Sequence, residues 1–269
     1  MSELRELSKE IYNRFGTIKR ARGCFLYTAK GVRLTDMYQQ AGRAILGWGA
    51  KGSFTILKNV LERGISGSFI TDFNLTSGKN HGQLGKALSS LFADQRTPFL
   101  FASKNQAIQT ALTISPESSS VYIPWSPSSP NWQNVDCIVF APTLPWTENI
   151  WILAVKSELI PQDTGFPNEL SISSPIQAAL TRSVYDLIKA LQVREEKNWF
   201  IYDSILTKYF TRKGPWLYPK VPQEKYPDFI LHCLDCQLVI SPIYNQPSIV
   251  PFSADKGNFK LLKNNPFNL

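Results

Sequence analysis

Ser103-Lys104-Asn105 is the segment best placed to do chemistry. It follows an apolar run, Pro98-Phe99-Leu100-Phe101-Ala102, that reads as a strand. It precedes Ala107, Ile108, Ala111 and Leu112, which recur at helical spacing. A strand, a short polar turn and a helix N-terminus bring open N–H groups and the positive end of the helix dipole to one point, an arrangement that holds phosphate in many α/β proteins. A lysine there opposes the dipole by a few tenths to about 1 kcal/mol, yet it suits a bound anion. The expected anion- or phosphate-binding residues are therefore Ser103, Lys104 and Asn105, with a small anionic metabolite as ligand; the other reading of the same turn is a decayed site.

Other chemistry-bearing residues do not assemble by spacing. His232-Cys233-Leu234-Asp235-Cys236 contains a C-x-x-C, but zinc needs two more ligands, and His81, Cys24 and Cys137 are distant in the chain. A thioredoxin-like pair opens a helix, whereas strand-like apolar residues flank this one, so buried structural thiols are expected and no metal. With two histidines and no G-x-S-x-G elbow, no Ser-His-Asp set is evident. No Walker loop and no G-x-G-x-x-G fingerprint occurs. Gly47-Trp48-Gly49-Ala50-Lys51-Gly52 reads as a tight turn.

The chain has 269 residues, 43% hydrophobic and 19% charged, which excludes global disorder and allows a sizeable core. It lacks an apolar run long enough to span a bilayer, so no membrane partner is expected. Met1-Ser2-Glu3-Leu4-Arg5 lacks an apolar signal core, and four cysteines make no disulfide framework, so a reducing, cytoplasmic setting is expected. The net charge is +8, and residues 1–70 hold 12 Lys/Arg against 5 Asp/Glu. That excess reads as a solvated basic face. Lys19-Arg20-Ala21-Arg22 is too short to make a nucleic acid the expected partner.

These residues must be positioned by an alternation of helices and strands. Helices are expected over 2–15, 53–63 (capped by Ser53), 82–93, from Ser103, from Ser174-Pro175, and over about 195–211. A hairpin is expected at 23–37, with its turn at Ala29-Lys30-Gly31. Strands are expected at Asp136 to Ala141, Ile150 to Val155, Trp216-Leu217-Tyr218, Phe229 to His232 and Leu238-Val239-Ile240, with a closing helix from near Ser253. Residues 115–134 are rich in Pro and Ser and read as irregular chain. The tryptophans at 125–151 belong either to packed loops over a core or to an aromatic-lined cleft.

Several of these pieces occur in the order of a known family. Arg22-Gly23-Cys24-Phe25-Leu26-Tyr27, then Gly31, Asp36, Tyr38 and Leu46-Gly47-Trp48-Gly49, resembles the opening of class III aminotransferases, fold-type I enzymes that use pyridoxal phosphate. The family has Gly-His where this chain has Gly47-Trp48. Phe99 to Ala107 resembles the family's strand and Ser-Gly-x-Glu-Ala helix start, which holds the cofactor phosphate. Ser174-Pro175-Ile176-Gln177-Ala178-Ala179 resembles its long connecting helix. Val239-Ile240-Ser241-Pro242 through Pro251-Phe252-Ser253-Ala254-Asp255 resembles its closing strands, most nearly those of the glutamate-semialdehyde aminotransferase branch. The resemblance implies an α/β fold: a reduced fold-type I scaffold with a shrunken central sheet and a small α+β domain built from both chain ends. The expected division is 1–70 and 193–269 for the small domain and 71–192 for the reduced large one. A homodimer is implied too.

The departures from that pattern bear on function. Only 32 residues separate Ser103 from Asp136. In the family most of the large domain falls there, including the segment that stacks on the pyridine ring and the aspartate that pairs with the ring nitrogen. His81-Gly82 looks like the ring-stacking pair but precedes the phosphate helix. Asp136-Cys137-Ile138-Val139-Phe140-Ala141 matches the strand before the Schiff-base lysine, and the lysine position falls on Pro142, which has no amine. The small glycine of the phosphate turn becomes Lys104, and its glutamate becomes Gln106. The expectation is a catalytically degenerate relative that needs no cofactor and binds a small anion or a protein partner. The alternative is a residual pyridoxal-phosphate enzyme with a relocated lysine, Lys156 or Lys104. A nucleic-acid-binding module is a third reading, resting on the basic N-terminal third alone.

Overall fold

The computed structural model describes residues 2–66, 71–73, 82–147, 149–160, 165–252 and 254–269. His81 and Ser253, named above, lie outside the described residues. In chain order the elements are α1 (Ser2–Phe15), β1 (Ile18–Arg22), β2 (Phe25–Thr28), β3 (Arg33–Asp36), α2 (Lys51–Glu62), α3 (Gly82–Phe92), β4 (Arg96–Phe101), α4 (Lys104–Ile114), β5 (Ser119–Val121), β6 (Cys137–Phe140), β7 (Trp151–Lys156), α5 (Ser174–Val193), α6 (Lys197–Phe200), α7 (Asp203–Leu206), β8 (Phe210–Lys213), β9 (Trp216–Pro219), α8 (Tyr226–Asp235), β10 (Leu238–Val239), β11 (Ser248–Ile249) and α9 (Lys260–Asn264). They form two compact units. One comprises Met1–Gly49, Trp125–Pro127 and Arg194–Leu269; the other comprises Ala50–Pro124 and Ser128–Val193. Among the described residues no helix is long and apolar enough to cross a membrane.

The first unit carries a four-stranded sheet, β1-β2-β3-β10, antiparallel except for the parallel β3/β10 pair. The β2/β3 hairpin turns at Gly31, whose φ of +78° only glycine adopts without cost. A second antiparallel sheet has the order β11-β9-β8. Its core gathers Leu206, Phe210, Leu217, Phe229 and Phe259, each fully buried.

After β3 the chain makes a left-handed turn. Gln39, Gln40, Ala41 and Gly42 all have positive φ (45°, 49°, 57° and 93°). Each non-glycine residue there costs about 1–2 kcal/mol. Gly42 has no alternative, because a Cβ on it would stand 2.8 Å from the Trp216 ring. The turn is held from below by Asp36. Its Oδ1 accepts the backbone N–H of Tyr38 and of Gln39, each at 2.9 Å, and its Oδ2 accepts the Trp48 indole N–H at 2.7 Å. Burial pushes the Asp36 carboxyl up, and these three donors pull it back.

The second unit carries a sheet in the order β4-β7-β6-β5, with β5/β6 parallel and the other pairs antiparallel. Pro98 is tolerated in β4 because that strand lies at the sheet edge. Phe99, Phe101, Val139, Leu153 and Val155 form one core with Ala107 and Ala111 of α4. The first unit stops at Gly49 because α2 packs along α5 in the second.

Four expectations are corrected. Phe229 to His232 is not a strand but the middle of α8. Pro227 and Asp228 favour its first turn, and Tyr226, Phe229, Cys233 and Leu234 make one buried helical stripe. The 195–211 helix is broken into α6 and α7, and its end opens β8. Ser53 does not cap α2; it is buried inside a helix that begins at Lys51. Residues 18–22 and 119–121 are strands although their composition did not announce them. Cys233 and Cys236 lie buried at the C-terminal end of α8, and all four cysteines are free.

Trp48→Phe keeps an aromatic ring and deletes the donor to Asp36. It is expected to cost about 1–3 kcal/mol, measured by urea unfolding. An unchanged midpoint would mean that the carboxyl is satisfied without the indole.

Candidate functional site

The turn between β4 and α4 forms as its residues dictate. Ser103 is the N-cap in extended conformation (φ −142°, ψ 154°), and its Oγ accepts the Gln106 N–H at 3.3 Å. The same hydroxyl donates to the Gln106 side-chain oxygen at 3.1 Å. Gln106 is thus used to brace the cap. Lys104 and Asn105 are exposed, and no acidic residue stands in the first turn. The Lys104 ammonium lies over the Trp151 ring, 5.8 Å from its centroid. A cation over an indole face is attracted by the ring quadrupole, which offsets part of the cost of a positive charge at this helix end.

Sheet register decides which other residues share that end. Phe101, the last residue of β4, pairs with Trp151, the first of β7. Phe140 pairs with Ile152, so Pro142, just beyond β6, stands at the same sheet end as Trp151 and the α4 N-terminus. Lys156 pairs with Arg96 at the opposite end. Five residue steps separate the two ends, about 17 Å of strand. The structure therefore groups Ser103, Lys104, Asn105 and Trp151 and leaves Lys156 apart from them.

Lys156 has its own partner. Its Nζ lies 3.1 Å from Asp136 Oδ1, with 18% and 26% of the two side chains exposed. Asp136 Oδ2 accepts the Ser115 hydroxyl at 2.9 Å. Partial burial pushes the Asp136 carboxyl up, but hydrogen bonds from Ser115 and Lys156 and the lysine charge outweigh it and hold it below the usual range. Beside this pair the fully buried Arg96 donates to the carbonyls of Asp136 (2.9 Å) and Trp132 (2.8 Å) and to Asp94 (3.1 Å). Burial lowers its pKa against the charges of Asp94 and Asp136. This end of the sheet is a structural ion-pair network.

The tryptophans of 125–151 pack in separate clusters. Trp132 meets Phe92 and Tyr122, Trp125 meets Trp199, and Trp146 meets Phe54. Trp125, Trp132 and Trp146 thus belong to packed loops. Trp151 is the residue that sequence reasoning missed at the α4 turn, and only the β4/β7 register could have placed it. Arg194 was missed as well. In the first unit its guanidinium stands 4.0 Å from the Phe252 centroid and 5.5 Å from that of Trp125, and it donates to the Ile45 carbonyl at 2.8 Å. Burial lowers its pKa to about 10.

Solved structures share this architecture. Ornithine delta-aminotransferase of Plasmodium falciparum superposes with a TM-score of 0.67 at 12% identity, over 99% of this chain and 100% of that one. Acetylornithine aminotransferase of Elizabethkingia anophelis gives 0.62 at 10%, over 96% and 97%. An omega-transaminase of Sphaerobacter thermophilus gives 0.63 at 8%, over 92% and 89%. In sequence the chain is 25% identical to an uncharacterized protein of Treponema pallidum (strain Nichols), over 90% of this chain and 91% of that one. It is 23% identical to an uncharacterized protein of Borreliella burgdorferi, over 91% and 89%. No family model matches. The fold is that of the aminotransferases, built here on 269 residues as a mixed α/β chain with several small sheets.

The Asp136–Lys156 pair fixes a pH dependence. A carboxyl held below its ordinary value of 3.8 contributes stability above that value and loses it as the pH falls through the lowered folded value. Lys156→Met is expected to cost up to about 1 kcal/mol at neutral pH. In thermal melts across a pH series, the gap between variant and parent should close as the pH drops below 3.8. A gap independent of pH would rule the pair out as its source.

Proposed function

We propose that this chain is a shortened class III aminotransferase-like protein that no longer transaminates and holds a small anion at the N-terminus of α4. The single observation that carries the reading is the donor set at that sheet end. Ser103 braces the cap, Lys104 presents an ammonium set over Trp151, and Asn105 is exposed beside it. A phosphate or carboxylate suits these donors.

Pyridoxal phosphate fits the same residues poorly. The position that the resemblance gives to the Schiff-base lysine is Pro142, and proline offers no amine. Lys156 is engaged by Asp136 at the far end of the sheet. The chain's own residues at the α4 turn bind and orient an anion, and none is assigned a proton-transfer role. A homodimer, the assembly implied by the resemblance, belongs to the same reading.

Calorimetric titration with inorganic phosphate tests the site. Lys104→Ala is expected to weaken binding about fivefold, and unchanged affinity would remove the site. Incubation with pyridoxal phosphate, followed by borohydride reduction and peptide mapping, is expected to fix no single lysine. Specific labelling of Lys104 or Lys156 would overturn the non-enzymatic reading.

A further inference from the structure

The short basic run at 19–22 gains meaning from the register of β1. Arg20 stands opposite Tyr27, and Tyr27 stands opposite Arg33. Arg22 stands opposite Phe25. Directly opposed residues of antiparallel strands share a face, so these residues form two adjacent rows on one side of the β1-β2-β3 sheet. The row between them, Ala21, Leu26 and Leu34, turns the other way, and Leu26 and Leu34 join a core cluster with Leu7 and Ile11 of α1.

The outward face is both cationic and aromatic. The Arg20 guanidinium stands 5.5 Å from the Tyr27 centroid, and that of Arg33 stands 4.5 Å from the Phe25 centroid. The three arginines are exposed, Phe25 and Tyr27 are half-buried, and among the described residues no carboxylate pairs with any of the three. Residues 1–70 carry an excess of 7 positive charges of the chain's +8.

We propose that this face of β1-β2-β3 binds single-stranded nucleic acid. Phosphates meet the three arginines, and bases stack on the guanidinium and ring planes. Charge complementarity selects a polyanion, and it opposes a second copy of this basic chain on the same face. Between polyanions, the alternation of planar groups favours bases over the side chains of an acidic polypeptide, which would leave those planes uncovered.

The test is fluorescence anisotropy of a labelled oligouridylate with the whole chain over a range of salt. Binding is expected to weaken linearly in log–log form with salt. The triple variant Arg20→Gln, Arg22→Gln, Arg33→Gln is expected to reduce the slope by about 2, at roughly 0.7 per lost phosphate contact. Tyr27→Leu fills similar space without a π face, and it should weaken binding about tenfold with the slope unchanged. Circular dichroism checks that both variants fold. No salt-dependent binding, an unaltered triple variant, or equal binding of polyglutamate would each overturn the proposal.

Discussion

The first unit depends on one buried carboxylate. Asp36 ends β3, where its neighbours in sequence must leave the sheet and turn left-handed toward Trp216. Three non-glycine residues in that turn oppose their own conformational preference. The carboxylate offsets this strain by gathering two successive N–H groups on one oxygen and the Trp48 indole on the other. It ties the strand, the turn and the Gly47-Trp48-Gly49 segment to one point. Gly23 and Trp48 also form an isolated backbone bridge, so the segment is held by its backbone as well. The charge is expensive to bury, and it is retained where several separate backbone constraints meet.

In the second unit the governing constraint is register. A β4/β7 pairing shifted by one residue would turn either Phe99 and Phe101 or Leu153 and Val155 away from α4, and the core fixes it against that slip. Once fixed, it sorts the polar residues between two sheet ends. One end receives the open helix terminus, Lys104 and Trp151. The other receives two ion pairs, Arg96 with Asp94 and Lys156 with Asp136. The same hydrophobic pattern therefore leaves cations exposed at one end and neutralises them at the other.

What the sequence discloses follows the range of the interactions concerned. The Ser103 cap, the β2/β3 hairpin and the Ser174-Pro175 helix start depend on neighbours in the chain, and they stand where the residues indicate. Phe229-Ile230-Leu231-His232 is an apolar run too short to separate strand from helix by itself. The acidic and proline residues before it decide in favour of α8. β1 is an edge strand exposed at four of its five positions, so little of either face is packed and no alternation marks it. Partners such as Asp136 and Lys156, or Lys104 and Trp151, are distant in sequence and meet only through strand pairing. Spacing along the chain carries no trace of them, and for the same reason the arginine rows of β1 to β3 are invisible in composition.

The charge at the α4 terminus runs against the helix dipole and needs a local account. A helix start gains from Asp or Glu in its first turn, because a negative charge complements the helix dipole there. This turn instead carries Lys104 and no acid, and the helix bears that cost with a serine cap, a glutamine brace and an indole under the ammonium. Each of these makes a positive helix terminus more tolerable, and none of them needs a covalent cofactor. Together the cap, the brace and the indole let a cation stand at a helix N-terminus, where the dipole alone would disfavour it.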